Sequence, residues 1–259
     1  MGLFNTCAYQ YLADILMPTL DYKCGDVKKL PYCHIENPSF ISIVEQNIFL
    51  SKTDWDSYET SWDFQRHPLV RPVSRLADAY TAWKSECEQR FLQLKANEEE
   101  LNRQFIEIYG LQDELTPDVP LSEITILQAG EIKITDKYKS TDNNGNIITD
   151  SKGNRLTTSG DVYIDWQDDV IIKQLISYAV GCMMGRYRLD KPGLHIAHPE
   201  PTAEEIAPYS YQGMEYEIDD DGIMPLMAND CGFSDNTSYR FADFLRVVLG
   251  EELHVENLN

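Results

Sequence analysis

The sequence lacks several features that would assign a location or a cofactor at once. It has no run of about eighteen or more apolar residues, so we expect no membrane-spanning segment and no membrane partner. Its 6 cysteines contain no Cys-x-x-Cys pair, which is typical of reduced thiols. Because no charged start precedes a long apolar core, we expect no secretory leader and a cytoplasmic location.

Catalytic motifs are also missing. An adenine amino-methyltransferase needs an Asn/Asp-Pro-Pro-Tyr type of loop. The polar side chain of this loop accepts a hydrogen bond from the adenine amino group, and the aromatic ring stacks on the flipped base. The chain has 12 prolines but no Pro-Pro pair, and Leu30-Pro31-Tyr32 lacks the polar residue. A glycine-rich turn for S-adenosylmethionine, a P-loop, a Gly-x-Ser-x-Gly elbow and a His-Glu-x-x-His pair are absent too. We therefore expect no catalytic, cofactor-binding or metal-binding residue here.

Basic residues are scarce. The chain has 22 Lys and Arg against 43 Asp and Glu, which gives a net charge of −21. A free-standing DNA-binding domain is normally basic, because phosphate contacts supply most of its affinity. Residues 200–259 hold 14 acidic and 2 basic side chains. We expect that segment to face solvent or a protein partner rather than DNA.

Apolar periodicity predicts a mainly helical chain. The clearest pattern predicts a helix from Ser74 to Tyr109 with Gly110 as its C-cap. A second, buried helix is predicted from Asp168 to Tyr187, in which two glycines either allow close packing or end the helix. Shorter helices are predicted over 3–16, 38–57 and 238–250, a strand or extended turn over 20–27, and strands over 121–127 and 132–134.

Turn residues predict one insertion. Asn144-Gly145 and Lys152-Gly153 flank a short apolar run, which indicates a β-hairpin or loop around 137–161. The predicted fold class is therefore α+β and predominantly helical, with a long helical spacer and a small α/β region that carries the β-hairpin insertion.

Two short segments concentrate the positive charge. Four residues of the first lie within ten positions of one another, and two more end the predicted buried helix: Arg66, His67, Arg71 and Arg75, then Arg186 and Arg188. Such side chains contact phosphates or base edges in DNA-binding proteins. The alternative is that these cations pair with the many local acids.

Aromatic and histidine residues leave further alternatives open. Trp55, Tyr58, Trp62 and Phe64 favour core packing against the preceding helix, while a base-stacking platform is the other interpretation. A small metal-dependent hydrolase would need His195 and His198 to converge with a carboxylate.

Several stretches together resemble the PglX family of adenine-specific DNA methyltransferases, which belong to BREX phage-defence systems. They are FNTCAYQYL at 4–12, PTLDYKCGDV at 18–27, LP at 30–31, DWDSYETSWDF at 54–64, EELN at 99–102, 106–115, and AVGCMMGRY at 179–187. The similarity extends over nearly the whole chain apart from 137–161. Members of the family are far longer, and their cofactor and catalytic motifs lie upstream of the similar part, so no catalytic residue carries over.

The resemblance implies a fragment of a type IIG-like methylase. Residues 1–36 would form the C-terminal edge of the methylase domain and 37–120 a helical spacer. Residues 121–199 would form a small α/β region at the start of target recognition, and 200–259 an acidic irregular segment ending in a helix. The parent would use S-adenosylmethionine to methylate adenine N6 in duplex DNA, with other defence-system subunits as further partners.

The fragment alone is expected to be inactive and to serve as a scaffold that contributes to DNA recognition. The alternative function is an independent acidic protein–protein interaction module.

Overall fold

The computed structural model describes residues 2–17, 24–33, 38–136, 162–227 and 235–252. Helices predominate, and with two small antiparallel sheets they confirm the predicted α+β class. The elements are α1 (Cys7–Leu16), α2 (Cys24–Val27), α3 (Pro38–Trp55), α4 (Leu76–Tyr109), β1 (Ile132–Asp136), β2 (Val162–Trp166), α5 (Asp168–Met183), β3 (Tyr209–Tyr211), β4 (Met214–Tyr216) and α6 (Thr237–Leu249). In these ranges no helix is both long and apolar enough to cross a membrane.

Two of these predictions are wrong. The described part of 20–27 is the short helix α2 rather than a strand or extended turn, and 121–127 begins as a 3-10 turn at Leu121–Glu123 rather than as a strand. Pro120 starts this turn at a φ of −59°, and its carbonyl accepts from the Glu123 amide at 3.0 Å. Ile124 and Ile126 are then buried without any strand pairing, so their alternation reflects contact with a core rather than sheet formation.

The chain divides into two compact units, each built from two separate stretches. Unit 1 comprises Met1–Lys52 and Gln89–Trp166, and unit 2 comprises Thr53–Glu88 and Gln167–Asn259. The 34-residue helix α4 contributes residues to both. Its predicted C-cap is confirmed, because Gly110 has a φ of +68°, which glycine adopts without steric cost.

Helices α3 and α4 form much of the core of unit 1. Phe105 of α4 is 1% exposed and packs edge-on against Phe40 of α3, with 5.1 Å between the ring centroids. Buried Asn97 of α4 donates hydrogen bonds to the side-chain oxygens of Gln46 and Asn47 on α3. Polar pairing at a buried position fixes how the two helices meet, since an unpaired amide there would be costly.

Six aromatic rings, which we call the aromatic core, hold unit 2 together. Each is buried, and the rings come from widely separated positions: Phe64, Tyr178, Tyr187, Tyr209, Tyr216 and Phe244. Tyr178 stacks on Tyr187 at 5.1 Å and meets Phe64 edge-on at 5.8 Å. Such contacts add stability beyond the area they bury. The segment around 64, helix α5, the β3–β4 hairpin and helix α6 therefore meet at one place.

The two sheets are both two-stranded and antiparallel. β1 pairs with β2 from Ile132↔Trp166 to Asp136↔Val162, which confirms the predicted strand at 132–134. The predicted hairpin at 137–161 lies outside the described residues. β3 and β4 form a hairpin whose turn residues, Gln212 and Gly213, have φ values of +51° and +82°. Two positive values are typical of a type I′ turn.

Candidate nucleic-acid interface

The six predicted DNA-contacting residues all belong to unit 2, and the structure brings the two segments that contain them together. The Arg66 guanidinium donates to the Leu189 carbonyl at 2.7 Å, which ties the first segment to the second. The Gly193 amide donates to the Gln65 carbonyl at 2.8 Å beside it. Arg66 also lies 5.7 Å from the Tyr211 ring centroid, close enough for a cation–π contact.

Arg188 is engaged inside the unit. Its side chain forms two 2.8 Å hydrogen bonds to the carboxylate of Asp190, and its guanidinium lies 4.2 Å from the Tyr209 ring centroid. The residue is 8% exposed. The Asp190 carboxylate raises the pKa of Arg188, so the guanidinium remains charged and paired. It therefore stabilises the packing around Tyr209.

Arg71 is likewise paired. Its guanidinium makes a two-point contact with the carboxylate of Glu86 on α4 at 2.6 and 2.9 Å, and its Nε donates to the Pro68 carbonyl. Both terminal nitrogens of the guanidinium therefore donate to Glu86, and these are the donors that would otherwise bind a phosphate.

His67 is buried and uncharged. Only 3% of its surface is exposed, and burial lowers its pKa to about 3. Its Nδ1 accepts from the Leu69 amide at 3.3 Å, while Nε2 has no hydrogen-bond partner within the part of the chain that the structure describes. Its ring lies 6.1 Å from that of Tyr178, at the edge of the aromatic core.

Arg75 and Arg186 are the two predicted residues with exposed side chains. Arg75 immediately precedes α4, and its carbonyl accepts from the Asp78 and Ala79 amides in the first turn. Arg186 follows α5, and its carbonyl accepts from the His195 amide at 2.7 Å. The backbone thus fixes both positions while the guanidinium groups reach the surface.

The aromatic residues at 55–64 divide between core and surface. Phe64 is 4% exposed and belongs to the aromatic core, as predicted. Core packing is wrong for Trp55 and Trp62, which are 57% and 101% exposed. Sequence pattern could not separate them, because all lie at the end of a helix or in the turns after it.

His195 and His198 both contact Glu205. His195 Nε2 lies 3.0 Å from the Glu205 carbonyl oxygen, and His198 Nε2 lies 3.1 Å from its carboxylate. Hydrogen bonds from Thr202 and His198 lower the pKa of Glu205 to about 2. The contacts hold a turn rather than gathering side-chain ligands around one point. Among the described residues, the one cluster of three ligand atoms within 4.8 Å of one another belongs to Asp219, Asp220 and Asp221.

Unit 1 carries an acidic cleft of about 590 Å³ that sequence inspection missed. Its lining includes the carboxylates Asp14, Glu98, Asp118 and Glu123. Burial and the neighbouring Glu123 raise the pKa of Glu98 to about 7. A cleft with this charge does not suit a phosphate backbone.

Comparison with known proteins supplies the decisive observation. No protein-family profile matches the chain. The adenine-specific methyltransferase PglX of Lacticaseibacillus casei (strain Zhang) is 30% identical over 266 aligned residues, and the alignment covers 100% of this chain. The adenine-specific methyltransferase BrxX of Escherichia coli O9:H4 (strain HS) is 32% identical over 260 residues, again across 100% of it. The chain is related over its whole length to one segment of the PglX and BrxX methyltransferases.

The predicted resemblance to PglX is thus confirmed. The chain spans 18% of the length of the L. casei PglX and 19% of that of the E. coli BrxX.

Packing accounts for one of the stretches that carried the resemblance, AVGCMMGRY. A Cβ on Gly181 would lie 2.6 Å from the Tyr187 ring, so glycine admits this member of the aromatic core. Gly185 follows the end of α5 with a φ of +76°. The sequence left open whether the two glycines allow close packing or end the helix. Gly181 allows close packing, and Gly185 lies where the helix ends.

Proposed function

We propose that this chain is a non-catalytic segment of an S-adenosylmethionine-dependent DNA adenine-N6 methyltransferase, acting in a cytoplasmic phage-defence system of the BREX or restriction-modification type. It serves as a scaffold and contributes to the recognition of duplex DNA. The observation that carries the proposal is the alignment of the entire chain with less than a fifth of two adenine-specific methyltransferases. The absence of any Pro-Pro pair agrees with chemistry located elsewhere.

The surface of the first thirty-three residues supports the scaffold role. Four large apolar side chains there lie in solvent, with exposures of 48–72%: Phe4, Ile15, Leu16 and Tyr32. Exposed apolar side chains grouped in one short stretch favour an interface. In this proposal, residues 1–36 form the C-terminal edge of the methylase domain, 37–120 act as the helical spacer, and 121–199 begin target recognition.

Arg75 and Arg186 are the side chains that we assign to DNA, because both are exposed at the surface of unit 2. Arg71 and Arg188 are less exposed, and His67 is buried without charge. Two phosphate contacts would supply only a small electrostatic contribution against a net charge of −21. The isolated chain should therefore bind duplex DNA weakly at physiological salt and show no methyl transfer.

The test is a chimera in which this chain replaces the matched segment of the E. coli BrxX. We expect S-adenosylmethionine-dependent adenine methylation of plasmid DNA to persist. Arg75→Ala and Arg186→Ala should each weaken DNA binding by several-fold and lower its salt dependence. Lys173→Ala is the matched control, since Lys173 is an exposed cation on α5 paired with Asp169. A folded chimera without methylation would contradict the proposal.

An independent acidic interaction module is the second candidate function. The observation that favours it is the charge of residues 200–259, which hold 14 acidic and 2 basic side chains. It predicts that the chain is translated from its own start codon, and that no reading frame with an Asn-Pro-Pro-Tyr motif continues into it from upstream. Mapping the transcript and its ribosome-binding site separates the two candidates.

A further inference from the structure

The last turn of α3 and the turns that follow it, residues 53–65, present two indoles to solvent, and we call this segment the tryptophan loop. Trp55 is 57% exposed and Trp62 is 101% exposed. No other large apolar side chain in the described ranges is as exposed as Trp62. Burying a tryptophan removes about 150–250 Å² from water, and tryptophan is among the residues most enriched at the energetic centres of protein interfaces. Its position in solvent therefore indicates a surface that a partner covers.

Hydrogen bonds hold the loop in one conformation. Ser61, which is 8% exposed, donates from Oγ to the Asp56 carboxylate at 2.7 Å and accepts from the Asp63 amide at 3.1 Å. The Phe64 amide donates to the Ser61 carbonyl, and the Phe64 ring is anchored in the aromatic core. Trp62 thus lies between two buried residues. A preorganised side chain loses little conformational entropy when a partner binds it.

The charge of the loop indicates the kind of partner. It contains no Lys or Arg between Lys52 and Arg66, and of its four carboxylates Asp54 is buried, Asp56 and Glu59 are partly exposed and Asp63 is exposed. Three carboxylates that reach the surface disfavour a phosphate backbone, which rules against base stacking as the main role. They favour a protein surface whose Lys or Arg side chains border an apolar pocket.

We infer that the tryptophan loop docks into a lysine- or arginine-bordered apolar pocket on the rest of the methyltransferase polypeptide, with Trp62 as the anchor. The inference rests on the proposed function. More than four fifths of each relative's length lies outside the part that this chain matches. An enzyme that acts on DNA needs a cationic surface, and this chain, at −21, does not supply it. The acidic loop complements such a surface.

The experiment uses the chimera with the E. coli BrxX, now with a protease site at each junction. Methylation is measured on the intact chimera, and co-elution of this chain with the rest is measured after cleavage. We expect the unsubstituted chain to co-elute with the rest of the protein. Trp62→Ser should weaken this association by about tenfold or more. Leu226→Ser is the matched control, because Leu226 is 78% exposed in the same unit and lies outside the loop.

A second measurement does not depend on a folded chimera. The labelled chain is titrated with the E. coli BrxX from which the matched segment has been deleted. Trp62→Ser should again bind roughly tenfold or more weakly, while Leu226→Ser binds like the unsubstituted chain. Because the Trp62 side chain is fully exposed, Trp62→Ser should leave the thermal midpoint unchanged.

The outcomes separate the two ideas. If the intact chimera methylates adenine but the chain dissociates after cleavage, or binds equally well with Trp62→Ser, the docking inference is wrong and the proposed function stands. If methylation is absent while Trp62-dependent association persists, the docking stands and the proposed function is wrong. A fluorescent single-stranded oligonucleotide that binds the chain through Trp62 would identify a nucleic-acid partner and overturn the inference.

Discussion

Tyr209 and Tyr216 face each other across the β3–β4 hairpin with ring centroids 5.7 Å apart, yet their hydroxyl groups differ. The Tyr209 hydroxyl accepts from the buried Leu189 amide at 3.1 Å. The Tyr216 hydroxyl is buried and has no hydrogen-bond partner among the described residues. Burial raises the pKa of both phenols far beyond physiological pH, so both hydroxyls stay protonated.

The two phenylalanine variants should therefore act differently on stability. Tyr209→Phe leaves the Leu189 amide without its acceptor, and we expect a loss of about 1–3 kcal/mol in the free energy of unfolding. Tyr216→Phe removes a polar group that has no partner, and we expect no loss or a small gain. Urea denaturation of the two variants measures the difference. Equal losses would show that the two hydroxyls contribute alike, and that the hydrogen bond from the Leu189 amide does not distinguish them.

His67 should make unit 2 sensitive to acid. Its pKa is about 3 in the folded chain and about 6.5 when unfolded, so between these values the unfolded chain binds one more proton. The contribution of neutral His67 to the free energy of unfolding is complete above about pH 6.5. Below that pH it falls by up to about 1.4 kcal/mol per pH unit.

His67→Gln should remove this dependence. We expect the difference in unfolding free energy between the variant and the unsubstituted chain to shift in favour of the variant as the pH falls from 7 toward about 4.5. Urea denaturation across this range measures it, with the difference at pH 8, where His67 is neutral in both the folded and the unfolded chain, as the reference. A constant difference at all pH values would show that His67 is not buried as described.

Glu98 should give unit 1 the opposite dependence. Its pKa is raised to about 7 by burial and by Glu123, so the folded chain holds a proton that the unfolded chain releases at about 4.5. The contribution of protonated Glu98 to the free energy of unfolding is complete below about pH 4.5 and is lost as the pH rises through about 7. Glu98→Gln should therefore gain about 1 kcal/mol at pH 8 relative to pH 5, after allowing for solvent screening at this half-buried site. Hydrogen exchange in peptides from α4 measures it, with exposed Glu107→Gln as the control. No gain at pH 8 would contradict the acidic environment of the cleft.

Gly181 should not tolerate a side chain. A Cβ there would lie 2.6 and 2.9 Å from two atoms of the Tyr187 ring, which is itself stacked on Tyr178. We expect Gly181→Ala to cost about 1–3 kcal/mol, because the ring must move within a packed core. Gly25→Ala is the control, since nothing lies within 4 Å of its Cβ position. Thermal unfolding measures both, and a stable Gly181→Ala variant would show that the ring has room to shift.

Periodicity predicted the long elements because their patterns repeat many times. In α4, the apolar steps from Tyr80 to Phe105 and the C-cap Gly110 are strong signals, and the helix ends within two residues of the prediction at each end. Ile108 continues the same three- and four-residue apolar spacing but is 43% exposed. The last turn of a helix has fewer neighbours, so the pattern alone could not decide its burial.

Short elements were missed because other residues can replace their usual markers. The β3–β4 hairpin turns at Gln212-Gly213 rather than at Asn-Gly, so the dipeptide that marks such turns was absent. The alternation of Tyr209, Tyr211 and Tyr216 is brief and lies among several prolines, which favoured an irregular interpretation.

The sequence shows where the cations lie along the chain, but not what each of them contacts. The sequence placed cations at 66–75 and 186–188, and the structure brings Arg66 to the Leu189 carbonyl. Whether an arginine grips a carboxylate or faces solvent depends on partners far away in the sequence, such as Glu86 for Arg71. The exposure of Trp62 depends on the burial of its neighbours Ser61 and Phe64. The Phe64 ring in turn packs against Tyr178, which is far away in the sequence.

The two units alternate along the chain, and this governs how the protein can be made and divided. Each unit takes one stretch from the N-terminal third and another from beyond residue 88. During translation unit 2 must wait for Phe244 before its core can close, so its first stretch leaves the ribosome well before its partners. No single cut in the gene yields either unit whole. To obtain one unit alone, its two stretches must be joined by a linker or co-expressed as two peptides.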